Sequence, residues 1–291
     1  MNRKAELFVD SRCELGEGPA WNPLLERLFW FDILNKTMLS AGTDGHIVDR
    51  IVFKDTVSAA AVIDRNTLAV TQSGTLLRYD FASDTSTPIV EVDADIPTNR
   101  TNDSRVDRAG GFWIGTMGRK AEAGAGSVYQ YRAGKLTKVI EKIRIPNSIC
   151  FSPDGRTAYF TDAGPAIVKC QLDPETGLPI GPWEHFFETD AVGGGPDGSV
   201  VDSEGFVWNA RWGGGAVIRI SPDGKLDQVI EVPGVTRVSC PAFGGKDMKT
   251  LYLTTAREGM SPEEAEAQPH AGSVFAIDVD VPGLTEPFIK L

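Results

Sequence analysis

An all-β fold, a six-bladed β-propeller with four-stranded blades, is what the sequence predicts, and three observations carry it. Short runs rich in Val, Ile, Phe, Tyr, Trp and Thr are separated by Gly, Asp, Asn and Pro, as strands are separated by tight turns. Strong helical periodicity is nearly absent; the clearest candidate, 261–268 (SPEEAEAQ), reads as a capped turn or two within a loop. The third observation is a repeat. A turn, an apolar strand ending in a small or polar residue, and a second strand recur six times.

The recurring strand appears as Leu28-Phe-Trp-Phe-Asp32, Leu68-Ala-Val-Thr-Gln72, Phe112-Trp-Ile-Gly-Thr116, Ala158-Tyr-Phe-Thr-Asp162, Phe206-Val-Trp-Asn-Ala210 and Leu251-Tyr-Leu-Thr-Thr255. Its starts lie 40, 44, 46, 48 and 45 residues apart, which leaves room for four short strands per repeat. The turns ahead of it rhyme too, as in Asp107-Arg-Ala-Gly-Gly111, Ser152-Pro-Asp-Gly155 and Asp202-Ser-Glu-Gly205. Partner strands follow, among them Gly74-Thr-Leu-Leu-Arg-Tyr79 and Gly126-Ser-Val-Tyr-Gln-Tyr131. A blade cannot bury both faces alone, so blades stack and the ring closes. Closure is expected from 6–12 or from 287–291 completing a shared blade, which removes an exposed edge. Spacing this regular disfavours a β-sandwich with accidental rhyme, and no Trp-Asp or Gly-His signature marks a WD40-type interaction propeller. The chain, 1–291, is expected to be one domain.

Composition bounds the partners. With 29 Lys and Arg against 40 Asp and Glu the net charge is −11, while 41% of residues are hydrophobic, enough for a large core. The negative surplus argues against nucleic acid or an anionic membrane, both of which need a basic face. Residues 1–10 lack an apolar run of signal-peptide length, and no 18-residue apolar stretch is present to span a bilayer. Cys13, Cys150, Cys170 and Cys240 stand alone, without metal-ligand spacing, and read as reduced, mostly buried thiols of a cytoplasmic protein. Composition leaves enzyme and binding protein equally open.

In a propeller the segments leading into each blade gather at one mouth of the central channel. Ahead of the recurring strand stand Leu15-Gly-Glu17-Gly-Pro-Ala-Trp21, Ser58-Ala-Ala-Ala61, Arg100-Thr-Asn102-Asp103, Ile145-Pro-Asn147-Ser148, Gly195-Pro-Asp197-Gly198 and Ser239-Cys-Pro-Ala242. Four of the six offer an oxygen ligand: Glu17, Asn102, Asn147 and Asp197. Carboxylates and carboxamides around one axis suit a hard divalent cation such as Ca²⁺, Mg²⁺ or Mn²⁺. Zn²⁺ or Fe²⁺ stay open, although the lack of His or Cys ligands disfavours the usual zinc site. Singly, Asn147 after Pro and Asp197 in Pro-Asp-Gly are ordinary turn residues, and Arg100 beside Asn102 suits a solvated loop. Their shared repeat phase is what turn chemistry does not require. His46, His185 and His270 lie in polar loops with no partner spacing and are expected at the surface. No GxSxG elbow and no phosphate-binding loop occurs. The weak calcium-loop match after Asp278 fails because Pro282 and Ile289 fall where ligands belong. Trp212, next to Gly213-Gly-Gly215, is expected to wall the mouth.

Four of these motifs carry a resemblance. Leu15-Gly-Glu-Gly-Pro-Ala-Trp21, Arg100-Thr-Asn-Asp103 with Asp107 and Gly115-Thr-Met117, Pro146-Asn147 with Ser152-Pro-Asp-Gly155, and Pro196-Asp-Gly198 with Asp202 and Gly205 occur in order. Together they resemble the senescence-marker-protein/gluconolactonase/luciferin-regenerating-enzyme family of six-bladed propellers, most closely its bacterial sugar-acid lactonases. The resemblance implies one divalent metal ion held by Glu17, Asn147 and Asp197, with Asp197 also the general base. It implies further that Arg100 and Asn102 hold a small-molecule sugar lactone, in a monomer or small homo-oligomer. Where relatives often have Gly after Asn-Asp and after Pro-Asn, this chain has Ser104 and Ser148. Where some relatives carry a substrate-contacting Glu, alignment through Met117 places Lys120, which makes Lys120 a substrate-binding candidate. Arg119 or Lys120, with Arg100 and Arg211, then suits a lactone bearing a sulfonate, phosphate or carboxylate. The competing expectations are a calcium-dependent phosphotriesterase-like hydrolase and a non-catalytic calcium-binding propeller.

Overall fold

The computed structural model describes residues 3–291; Met1 and Asn2, which open the stretch searched for a targeting signal, lie outside the described residues. Six antiparallel sheets follow one another along the chain, and each is a blade. Blade 1 runs Gly16–Asn22, Arg27–Asp32, Thr37–Ala41 and Ile47–Val52; blade 3 runs Asn99–Val106, Phe112–Gly118, Gly126–Arg132 and Lys135–Ile143. The strands are short because Gly, Asp and Asn turns interrupt them at the spacing read from the sequence. Within a blade, burial falls from the first strand outward: Asn99–Val106 is buried throughout, whereas Ile47–Val52 is mostly exposed. The one described helix, Pro262–Ala267, has the expected capping box, with Ser261 Oγ accepting from the Glu264 amide.

Ring closure falls to the N-terminal segment. Glu6–Val9 pairs antiparallel with Val274–Asp278 and completes blade 6, while Arg3–Lys4 pairs parallel with the outer strand Leu226–Glu231 of blade 5. The C-terminal residues 287–291 join no sheet. They pass beneath blades 2 and 3, where the Ile289 amide donates to the Val62 carbonyl and the Lys290 amide to the Gly110 carbonyl.

Apolar side chains of neighbouring blades interdigitate. Phe29, Phe31 and Met38 of blade 1 pack against Val57, Leu68, Val70 and Leu77 of blade 2, and each buried side chain of this size contributes about 1.5–3 kcal/mol. Trp113 and Trp208 are fully buried and also satisfied, because Asp107 and Asp202 of the rhyming turns accept their indole N–H groups at 3.1 and 2.9 Å.

The recurring apolar strand is the second strand of each blade. The polar segments ahead of it are the innermost strands themselves rather than loops, and each of the six carries a β-bulge near its start. The pairing register slips between Glu17 and Ala20, Val57 and Ala59, Thr101 and Ser104, Asn147 and Cys150, Pro196 and Ser199, and Val238 and Cys240. A bulge re-aims side chains at the point where pairing fails, so turn-like residues here serve to bend strands toward the axis. Blades touch closely at these bulges. Ser58 Oγ donates to the Asn102 carbonyl, Ser148 Oγ to the Asp197 carbonyl and Ser239 Oγ to the Gly16 carbonyl. At Gly18 (φ +54°) a Cβ would lie 2.0 Å from the Ser58 carbonyl oxygen, and at Gly198 one would lie 2.3 Å from Cys240 Sγ. At the other end of the inner strands, Arg105 donates Nε to the Ile149 carbonyl and pairs with Glu286.

Candidate active site

The open end of the ring holds a cavity of about 540 Å³. Its floor comes from the starts of the inner strands, with Glu17, Arg100, Asn102, Asn147 and Asp197; its rim comes from the loops between second and third strands, with Arg119, Lys120, Trp212 and Glu258. All six site residues expected from the sequence therefore line one cavity. Trp212 forms part of its wall, as expected.

Glu17 and Asp197 are 8% and 5% exposed. Glu17 Oε2 accepts from the Gly18 amide at 3.0 Å, and no side chain donates to either carboxylate among the described residues. Burial and then the charge of Asp103 push Glu17 up to about 8. Burial and then the charge of Glu17 push Asp197 well above the usual carboxylate range. Arg100 opposes the shift of Glu17, but two buried acids sharing one such counter-charge are costly unless a cation joins them. Asn102 and Asn147 complete the polar floor: Arg100 Nη1 donates to Asn102 Oδ1 at 2.7 Å, and Asn102 Nδ2 donates to Asn147 Oδ1 at 2.8 Å. That leaves Asn147 Oδ1 one lone pair without a protein donor among the described residues, in the cavity that the two acids also line. An all-oxygen donor set of this kind fits a hard divalent cation. Among the described residues no three His, Cys, Asp or Glu side chains form a metal cluster, so a cation here depends on the Asn147 amide oxygen.

Asp103, next to Asn102, faces a different task. Its Oδ2 accepts from the Ile149 amide at 2.8 Å, and burial pushes it up to about 6 against the pull of Arg105. The cationic cluster expected at the mouth is smaller than its sequence suggests. Arg211 is buried and turned to the Gly194 carbonyl at 2.8 Å, away from the cavity lining. Arg119 lines the cavity but grips Asp55 with Nη2 at 3.1 Å from each carboxylate oxygen. Lys120 is exposed on the rim and has no ion-pair partner among the described residues. The four cysteines are buried and unbridged. None of the three histidines lines the cavity.

Glu258 is a charged cavity residue outside the set expected from the sequence. It follows the second strand of blade 6, in the phase that Arg119 holds after the second strand of blade 3, whereas the predicted floor residues all precede that strand.

A family model described as SMP-30/Gluconolactonase/LRE-like region matches residues 15–257. The chain belongs to this family. Curated relatives cover nearly all of it. An L-arabinolactonase of Azospirillum brasilense is 36% identical, over 94% of this chain and 91% of its own. A 6-deoxy-6-sulfogluconolactonase of Pseudomonas putida is 32% identical, over 99% of both. Among solved structures, a calcium-binding protein, regucalcin, of Agrobacterium tumefaciens str. C58 superposes with a TM-score of 0.96 at 40% identity, over 100% of this chain and 99% of that one. The family's six-bladed ring is the ring described above. No described helix is long and apolar enough to cross a membrane.

Proposed function

We propose that this family member hydrolyses a sugar-acid lactone to the free sugar acid, with a divalent cation held by Glu17, Asn147 and Asp197. The observation that carries the reading is the pair of buried acids, Glu17 and Asp197, set beside the Arg100–Asn102–Asn147 chain on the floor of one open cavity. The lactonase names of relatives that match nearly the full length support it.

The bound cation supplies Lewis-acid polarisation of the lactone carbonyl. Arg100 and Asn102 orient the ring through its hydroxyls, which converts an encounter into a positioned attack. Asp197, which would also help hold the cation, takes the proton from the attacking water. Trp212 and the rim loops narrow the mouth above the substrate.

The test is a lactone panel read by proton release at constant pH, with calcium, magnesium, manganese and zinc added singly to chelator-treated protein. Metal-dependent acid release is expected, together with a rise in Tm on adding the productive metal. Asp197→Asn and Glu17→Gln should abolish turnover while keeping the fold by circular dichroism. Chelator-insensitive hydrolysis by both variants at the wild-type rate overturns the metal assignment. No turnover of any lactone, with calcium bound and the fold intact, overturns the enzyme in favour of a calcium-binding propeller.

A further inference from the structure

We infer that Glu258 is a specificity-determining residue of this cavity: its carboxylate accepts hydroxyl hydrogens of the sugar opposite Arg100, which selects polyhydroxylated lactones over plain ones. The inference rests on the lactonase reading and deepens it.

Glu258 stands in the longest connection at the mouth. Between second and third strands, blade 1 uses 33–36, blade 3 uses 119–125 and blade 5 uses 213–215, whereas blade 6 uses 256–273 and includes the helix. A long loop would ordinarily leave its residues loosely placed, but this one is fastened where Glu258 sits. The amides of Arg257 and Glu258 both donate to the Glu14 carbonyl, at 2.9 and 2.7 Å, and Ala256 bridges to Leu15. The Met260 amide returns to the Arg257 carbonyl at 3.0 Å. Glu258 is thereby anchored to the segment that leads into Glu17, across the seam between blades 6 and 1.

Its carboxylate is half-buried on the cavity wall and has no hydrogen-bond or ion-pair partner among the described residues. A charged acceptor held in a cavity without a partner is available to a ligand. What faces it is a donor. Burial lowers the Arg100 pKa, and Glu258 is the largest charge opposing that effect. Arg100 spends Nη1 on the Thr101 carbonyl and on Asn102 Oδ1, and its remaining N–H groups have no protein partner among the described residues. An acceptor and a donor on the same cavity suit hydroxyl groups, each of which donates once and accepts elsewhere. An alkyl lactone offers Glu258 nothing, and a site built for hydroxyls rejects analogues that lack them.

The experiment compares Glu258→Ala and Glu258→Gln with wild-type protein on a pentono- or hexonolactone and on hydroxyl-free δ-valerolactone, all metal-replete. For Glu258→Ala, KM for the sugar lactone should rise about tenfold or more while kcat changes far less, the mark of lost substrate binding without loss of the chemical step. Glu258→Gln, which keeps an acceptor oxygen without the charge, should fall between. The penalty on δ-valerolactone should be at least about tenfold smaller, so the preference for the sugar lactone collapses. Equal penalties on both lactones, an unchanged KM, or lost calcium binding by calorimetry in Glu258→Ala overturns the inference while the lactonase reading stands. Wild-type protein that turns over neither lactone overturns the lactonase reading, and this inference with it.

Discussion

Asn102 donates its Nδ2 hydrogen to Asn147 Oδ1 across 2.8 Å, from blade 3 to blade 4. A second bond from Nδ2 to the Pro146 carbonyl at 3.0 Å fixes which way the Asn102 amide faces. The arrangement gives the two ends of the Asn102 amide different partners: its nitrogen serves Asn147 and Pro146, and its oxygen serves Arg100.

Substitution at Asn102 separates these two ends. Asn102→Asp keeps an acceptor for Arg100 but sets an oxygen against Asn147 Oδ1, whereas Asn102→Leu loses both contacts. Residues that orient a metal ligand cost about 10- to 100-fold in affinity or activity when removed. Calcium affinity by calorimetry should fall about that far in both variants, and sugar-lactone KM should rise more in Asn102→Leu. Unchanged calcium affinity in both variants would show that Asn147 does not depend on Asn102.

Ser148 carries a left-handed backbone, φ +58°, a conformation that glycine adopts without strain. Its hydroxyl donates to the Asp197 carbonyl and receives Asn209 Nδ2 at 3.2 Å, so the strain is offset by a tie between blades 4 and 5. Ser148→Gly relieves about 1 kcal/mol of strain and loses a bond of similar worth, so Tm should move little. Ser148→Val keeps the conformation, adds a β-branch and loses the bond; Tm should fall by roughly 5 °C or more by calorimetry.

Lys120 is the rim cation with no ion-pair partner among the described residues, since Arg119 is held by Asp55 and Arg100 lies on the floor. Lactones with a terminal sulfonate or phosphate should therefore lose more than neutral ones on Lys120→Gln. Exposed charge pairs are weak, so the differential is about two- to fivefold in kcat/KM, and it shrinks as salt is raised. A clear wild-type preference for neutral lactones sinks this role for Lys120.

The repeat was legible because blade closure needs the same apolar strand every 45 or so residues, and Leu28, Phe112 and Leu251 mark it plainly. The convergence of Glu17, Asn102, Asn147 and Asp197 was legible for the same reason: equal phase in a ring means equal position about its axis. Three features were not. Bulges are visible only when two strands are paired, so Asn147 and Asp197 looked like turn residues until the register slips appeared. The fates of Arg119 and Arg211 depend on Asp55 and Gly194, which lie far from them in sequence or carry no side-chain signal. Glu258 shares the phase of Arg119 but sits on a much longer loop, and its anchor is a backbone carbonyl that any residue at position 14 would supply.

The strand that seals blade 6, Glu6–Val9, is separated along the chain from its partner Val274–Asp278 by all the other blades. Glu6–Val9 therefore has no sheet to join until Val274–Asp278 is made, and blade 6 has no outer strand without it. The junction that then forms is the one that anchors Glu258 to Glu14, two residues before Gly16 and three before Glu17. A nascent or truncated chain thus carries Asp197 and Asn147 long before the wall opposite them exists. The closure that gives blade 6 its outer strand also joins the Glu258 wall of the cavity to the Glu17 side of its floor.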